Sequence, residues 1–123
     1  MFQATGTIGL PITIRLLGSK LFTVSALQRP SSTATLPTGL ISRKVDLESH
    51  AELVEVLRGQ DVLILTLNDA AAHLQPGIIE AAYQAGVRRV YPNEWAARLD
   101  VEGTGLGEMN EGKKGVVKCK LLL

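Results

Sequence analysis

The sequence holds a single cysteine, Cys119, among its 123 residues. It therefore offers neither an internal disulfide framework nor a cysteine-based zinc site. It also lacks charge of one sign: 13 basic side chains stand against 12 acidic ones, a formal charge of +1. No strong field is available to recruit nucleic acid or an anionic membrane surface. Long hydrophobic runs are missing too, the longest candidate (residues 62–65) being strand-sized, whereas a bilayer crossing needs about 18 apolar residues. The N-terminus lacks the basic start and apolar stretch of a signal peptide. These absences point to a reduced, cytoplasmic setting with no nucleic-acid and no membrane partner. What is present is ordinary globular material, 46% hydrophobic and 20% charged, in a length suited to one domain with one core.

The apolar pattern alternates between two periods. Ile8, Ile12 and Leu16 recur at four-residue spacing and predict a helix between the first glycines and Gly18, with Pro11 confined to its first turn. Phe22, Val24 and Ala26 alternate with polar residues as a strand does. A Ser/Thr/Pro-rich loop covers residues 29–39. A short strand then follows over residues 40–46. Ser49 with Glu52 has capping-box spacing before the stripe Leu53, Val54, Val56 and Leu57, so a helix is expected there, ended by Gly59. Residues 61–67 form a nearly unbroken apolar run, the mark of a parallel strand covered on both faces. A helix over residues 74–85, stopped by Gly86, and a strand over residues 87–91 complete the series. Strands alternating with helices predict an α/β fold with a parallel sheet.

The residues that carry chemistry sit at the start. Gln3-Ala4-Thr5-Gly6-Thr7-Ile8-Gly9 directly precedes the first helix. Gly6 and Gly9 fill two of three slots in a G-x-x-G-x-x-G spacing, and Gln3 occupies the first. In a dinucleotide site such glycines allow a tight turn and a close approach of backbone to pyrophosphate. The helix N-terminus then supplies N–H donors and a partial positive charge. About 20 residues further on, such a site places the side chain that meets the adenosine ribose. Here that region reads Ala26-Leu27-Gln28-Arg29, with no acid. Arg29 is suited to the 2′-phosphate of NADP; the alternative is a solvated loop arginine.

Residues 3–12, Gln-Ala-Thr-Gly-Thr-Ile-Gly-Leu-Pro-Ile, resemble the Gly-Ala-Thr-Gly-x-Ile-Gly opening of NmrA-like and isoflavone-reductase-like proteins, which are atypical short-chain dehydrogenases. Ala26-Leu27-Gln28-Arg29 with Ser31-Ser32 is similar to that family's block after its second strand. Val45-Asp46-Leu47, Gly59-Gln60-Asp61-Val62, Ala81-Ala82-Tyr83-Gln84-Ala85-Gly86-Val87 and Tyr91-Pro92-Asn93-Glu94-Trp95 continue the resemblance in order, and it looks closest to fungal members. The resemblance implies a Rossmann-like doubly wound parallel sheet that binds NADP(H), of which this chain carries the N-terminal part with its first strand truncated. It implies Thr5, Gly6, Thr7, Ile8 and Gly9 along the pyrophosphate and Arg29 at the 2′-phosphate. Asp46 and Leu47 would lie by the adenine, Thr66 and Leu67 at the next strand's end, and Asn93 and Glu94 near the nicotinamide. Lys114 matches the spacing of a family lysine that acts on substrate; the alternative is a solvated surface lysine.

On this reading residues 1–95 form an NAD(P)-binding domain, and residues 96–123 a divergent tail at the start of a substrate region that is missing. The expected function is NADP(H) binding in a protein derived from a reductase of a small organic substrate. The alternatives are a non-catalytic NADP-sensing regulator with a protein partner, and an inactive fragment. Gln3 departs from the family's glycine, and only Met1 and Phe2 precede the motif. In the strand order 3-2-1-4 the first strand is central, so its loss would leave a groove between the second and fourth. His50 and His73 read as polar surface residues rather than metal ligands. No Tyr-x-x-x-Lys pair is present.

Overall fold

The computed structural model describes residues 4–95. Their order is α1 (Gly9–Ser19), β1 (Ser25–Gln28), β2 (Ile41–Lys44), α2 (His50–Leu57), β3 (Val62–Ile64), a 3-10 helix (Asp69–Leu74), α3 (Gln75–Gln84) and β4 (Arg89–Tyr91). This is the helix and strand order that the apolar periods predict, with the 3-10 helix added. Both strand pairings are parallel. Ser25 stands opposite Ile41 in the first ladder, and Val62 opposite Arg89 in the second. Among the described residues β1 and β3 share no ladder, so the strands form two pairs, β1–β2 and β3–β4.

Side chains join what the ladders do not. On one face Leu27 of β1 and Leu63 of β3 pack with Leu65, Leu67 and Val45. Leu53 and Leu57 of α2 and Ile78, Ile79 and Ala82 of α3 close that cluster. On the other face Ala26 of β1 packs with Ala4, and Ile12 of α1 and Ile64 of β3 lie against them. Adjacent residues of one strand thus go to opposite cores, because strand side chains alternate and helices lie on both sides. This accounts for a difference from the sequence reading. The alternation of Phe22, Val24 and Ala26 places the strand too early, since Phe22 is exposed while Ala26 and Leu27 are consecutive and both buried.

Local signals set the helix ends. The Ser49 Oγ accepts from the Glu52 N–H at 3.4 Å and caps α2. Glu52 does not close the reciprocal half of the box; its carboxylate accepts from the Asp46 N–H at 3.0 Å instead, tying α2 to the end of β2. Because the capping bond is long, Ser49→Ala should cost about 0.5–1 kcal/mol, read as a small fall in thermal midpoint. Gly59 and Gly86 follow α2 and α3 at φ +73° and +80°, a region that side chains with a Cβ avoid. Among the described residues no helix is long and apolar enough to cross a membrane.

Candidate functional site

Parallel strands send their carboxyl ends the same way, and ligands of open α/β sheets bind beyond those ends. A cavity of about 710 Å³ opens there, within the size range of small-molecule sites. Its walls come from four places in the chain. Ala4 and Thr5 enter from the turn before α1, and Gln28, Arg29, Ser31 and Ser32 from the end of β1. Asp46, Leu47 and Glu48 follow β2, while Leu67, Asn68, Ala70, Ala71, His73 and Leu74 follow β3.

The turn after β1 is held firmly. The Ser32 N–H donates to the Arg29 carbonyl at 3.0 Å, closing a four-residue turn with Pro30 at its second position, where a fixed φ is favoured. The Gln28 side-chain NH2 donates to Ser32 Oγ at 3.4 Å and to the Ala34 carbonyl at 3.3 Å, and its Oε1 accepts from Ser42 Oγ at 2.7 Å. The Lys44 ammonium donates to the Ser32 carbonyl. Arg29 thus stands on a braced turn at the cavity wall, and the Lys44 ammonium is bonded to the same turn.

At the motif, Gly6 accepts from the Leu10 N–H at 2.9 Å, and Gly9 is the buried first residue of α1. The residue before that helix is Ile8, which has no capping side chain, and no acid stands in the first turn. The first amides of α1 are therefore not served by a side-chain cap at Ile8. Thr13, fully buried, donates from its hydroxyl to the Ala4 carbonyl at 3.2 Å and fixes the helix against the motif.

The site residues expected from sequence divide into groups. Thr5, Arg29, Asp46, Leu47 and Leu67 line the cavity together. Gly6, Thr7, Ile8 and Gly9 form the turn and helix start beside it, without lining it. Thr66 is buried next to Leu67 and is not part of the lining. Asn93 and Glu94 follow β4 and also stand outside it. Asn93 serves packing, since its N–H donates to Gln75 Oε1 and its side-chain NH2 to the Leu67 carbonyl, each at 2.8 Å. Lys114 lies outside the described residues.

Gln75 is 2% exposed, so removing its amide would leave the Asn93 N–H without that partner. Gln75→Leu should lose about 1–3 kcal/mol, measured as a lower urea midpoint at unchanged slope. Sequence reasoning missed Glu48, Asn68 and His73 as lining residues. Glu48 lies two positions beyond Asp46, and Asn68 caps the 3-10 helix, its side-chain oxygen accepting from the Ala71 N–H at 3.0 Å. His50 lies 3.0 Å from Gln84 Oε1 through its Nε2, linking α2 to α3. Among the described residues no cluster of three or more His, Cys, Asp or Glu side chains could hold a metal ion.

Residues 4–111 match a family described as NAD(P)H-binding. An oxidoreductase of Aspergillus flavus, aprR, is 35% identical over 118 residues, 94% of this chain and 40% of the relative. An isoflavone reductase homolog of Zea mays is 37% identical over 71 residues, 57% of this chain and 22% of the relative. A crystal structure of isoflavone reductase superposes with a TM-score of 0.77 at 25% identity, covering 95% of this chain and 43% of that one. A Rossmann-fold NAD(P)-binding protein from Shigella flexneri reaches a TM-score of 0.65 at 17% identity over 96% of this chain and 59% of that one, a likeness of fold. The chain is Rossmann-like, and it spans about 40% of the length of the Aspergillus relative.

Proposed function

Because this chain belongs to the NAD(P)H-binding family, we propose that its cavity takes the adenosine half of NADP(H) and that Arg29 meets the 2′-phosphate. The observation that carries the reading is the braced turn from Arg29 to Ser32 at the cavity wall. A guanidinium and two serine hydroxyls there are suited to a phosphate, and no acid from that turn opposes it. Leu47, Ala70, Ala71 and Leu74 supply apolar lining for a flat base. Gly6 and Gly9, with the first amides of α1, stand where a pyrophosphate would run.

The residue roles implied by the family complete the proposal. Thr5, Thr7 and Ile8 border the pyrophosphate, Asp46 the adenine, and Thr66 and Leu67 the strand end. Asn93 and Glu94 lie near the nicotinamide side, and Lys114 acts on a small organic substrate. Bound NADPH would supply a hydride, while the chain's part is to bind and orient. Residues 1–95 form the cofactor domain, residues 96–123 begin a substrate region, and the setting is cytoplasmic. Titration of the folded chain with NADPH and with NADH, followed by cofactor fluorescence, tests the reading. Binding of NADPH in preference to NADH is expected; no binding of either would overturn it.

A further inference from the structure

One wall of the cavity is a single short stretch of chain between β3 and α3. Leu67, Asn68, Ala70, Ala71, His73 and Leu74 all line the space, and most of this stretch is the 3-10 helix. Helices of that kind make poorer hydrogen bonds than α-helices and persist only in short pieces. No residue of this one is buried, and Ala71 and Leu74 reach the core only partly covered. Its own packing therefore anchors it weakly. Stronger anchors lie at its two ends, and both ends meet the same residue. The Asn93 side-chain NH2 donates to the Leu67 carbonyl at one end, and the Asn93 N–H donates to Gln75 Oε1 at the other, each at 2.8 Å. Leu67 and Gln75 are themselves buried. The three residues thus form a clamp across the base of residues 67–75.

We propose that Asn93 is a positioning residue that holds this wall in its binding shape, so that affinity for the adenosine half of the cofactor depends on it. This rests on the cofactor reading above. Asn93 acts here through Leu67 and Gln75 and lies outside the cavity lining. A wall that opens leaves the cavity incomplete, and apparent affinity falls with the fraction of molecules in which it is closed. The two ends of the clamp can be released separately. Asn93→Ala removes the bond to Leu67 and keeps the backbone N–H for Gln75. Gln75→Leu removes the acceptor of that N–H and keeps the bond to Leu67.

Two ligands separate positioning from direct contact: NADPH, and adenosine 2′,5′-bisphosphate, which has no nicotinamide. Both are titrated calorimetrically into the full chain, well below its melting temperature, as wild type, Asn93→Ala and Gln75→Leu. Each substitution should weaken both ligands by the same factor, about fivefold, the scale of one hydrogen bond. A small truncation elsewhere in the core, Ile79→Val, lowers stability without touching the clamp and should leave both affinities unchanged. Asn93 is only half-buried, so Asn93→Ala decides the matter if Gln75→Leu does not fold. Weaker NADPH binding with the bisphosphate unaffected would mark a direct contact with the nicotinamide half, and it overturns this inference while the cofactor reading stands. So does an unchanged affinity in either folded clamp variant, or a loss that Ile79→Val reproduces. If the folded wild-type chain binds neither compound, the cofactor reading falls, and this inference with it.

Discussion

Leu65→Ala is expected to lower stability by about 3–5 kcal/mol, the upper part of the range for a leucine deleted from a core. The side chain is fully buried in the cluster beneath α2 and α3. How much such a deletion costs depends on how far the surroundings can collapse into the space. Collapse is restricted here, because the backbone of Leu65 is fixed through both its polar groups. Its N–H donates to the Tyr91 carbonyl at 2.9 Å, and its carbonyl accepts from the Trp95 indole N–H at 2.6 Å. A domain of this size has about 5–15 kcal/mol in total, and each kcal/mol moves its midpoint by roughly 4–8 °C. The thermal midpoint should therefore fall by more than about 10 °C. Leu65→Met, which conserves volume, should cost less than about 1.5 kcal/mol, so the pair separates lost packing from lost chain contacts. A fall of only a few degrees in the alanine variant would show that the site relaxes.

Arg29→Ala is expected to weaken NADPH binding by about 1.5 kcal/mol, roughly tenfold, while changing NADH little. The guanidinium is exposed at the cavity wall, so water and salt take part of its attraction, and the estimate sits at the low end for a charged hydrogen bond. The difference between the two cofactors should shrink as salt is raised. Lys44 lies against the same turn through the Ser32 carbonyl, and its charge would leave the variant a residual preference for NADPH. An equal loss for both cofactors would remove Arg29 from the 2′-phosphate. Calorimetric titration at low and moderate salt measures each of these quantities.

Much of this was legible in the sequence, for reasons that differ by element. The four-residue spacing of Ile8, Ile12 and Leu16 locates α1 because one face of a helix is enough to reveal its period. The start of β1 was misplaced because a strand between two helical layers buries neighbours as well as alternate residues, as Ala26 and Leu27 do. The 3-10 helix at Asp69–Leu74 escaped notice because a short run of alanines has no apolar period of its own. In the site, Thr5, Arg29, Asp46, Leu47 and Leu67 sit at the ends of elements, where motif spacing reaches. Glu48 and His73 come together only through the folding of the β2–α2 and β3–α3 connections. Asn93 was noticed for its motif, whereas its bonds to Gln75 and Leu67 depend on a contact no local pattern encodes.

The two separate ladders bear on how the unit melts. Leu27 and Val45 come from the first pair and Leu63 from the second, yet all three belong to one cluster. Among the described residues it is therefore the leucine layer that joins the two ladders, and unfolding should be a single calorimetric transition. The cavity repeats the same bridge, with Arg29 and Asp46 on the side of one ladder and Leu67 and Leu74 on the side of the other. A ligand seated there would clasp both halves at once. Its binding energy would appear as a rise in the melting temperature of the whole unit, increasing with the logarithm of free ligand concentration once that exceeds the dissociation constant.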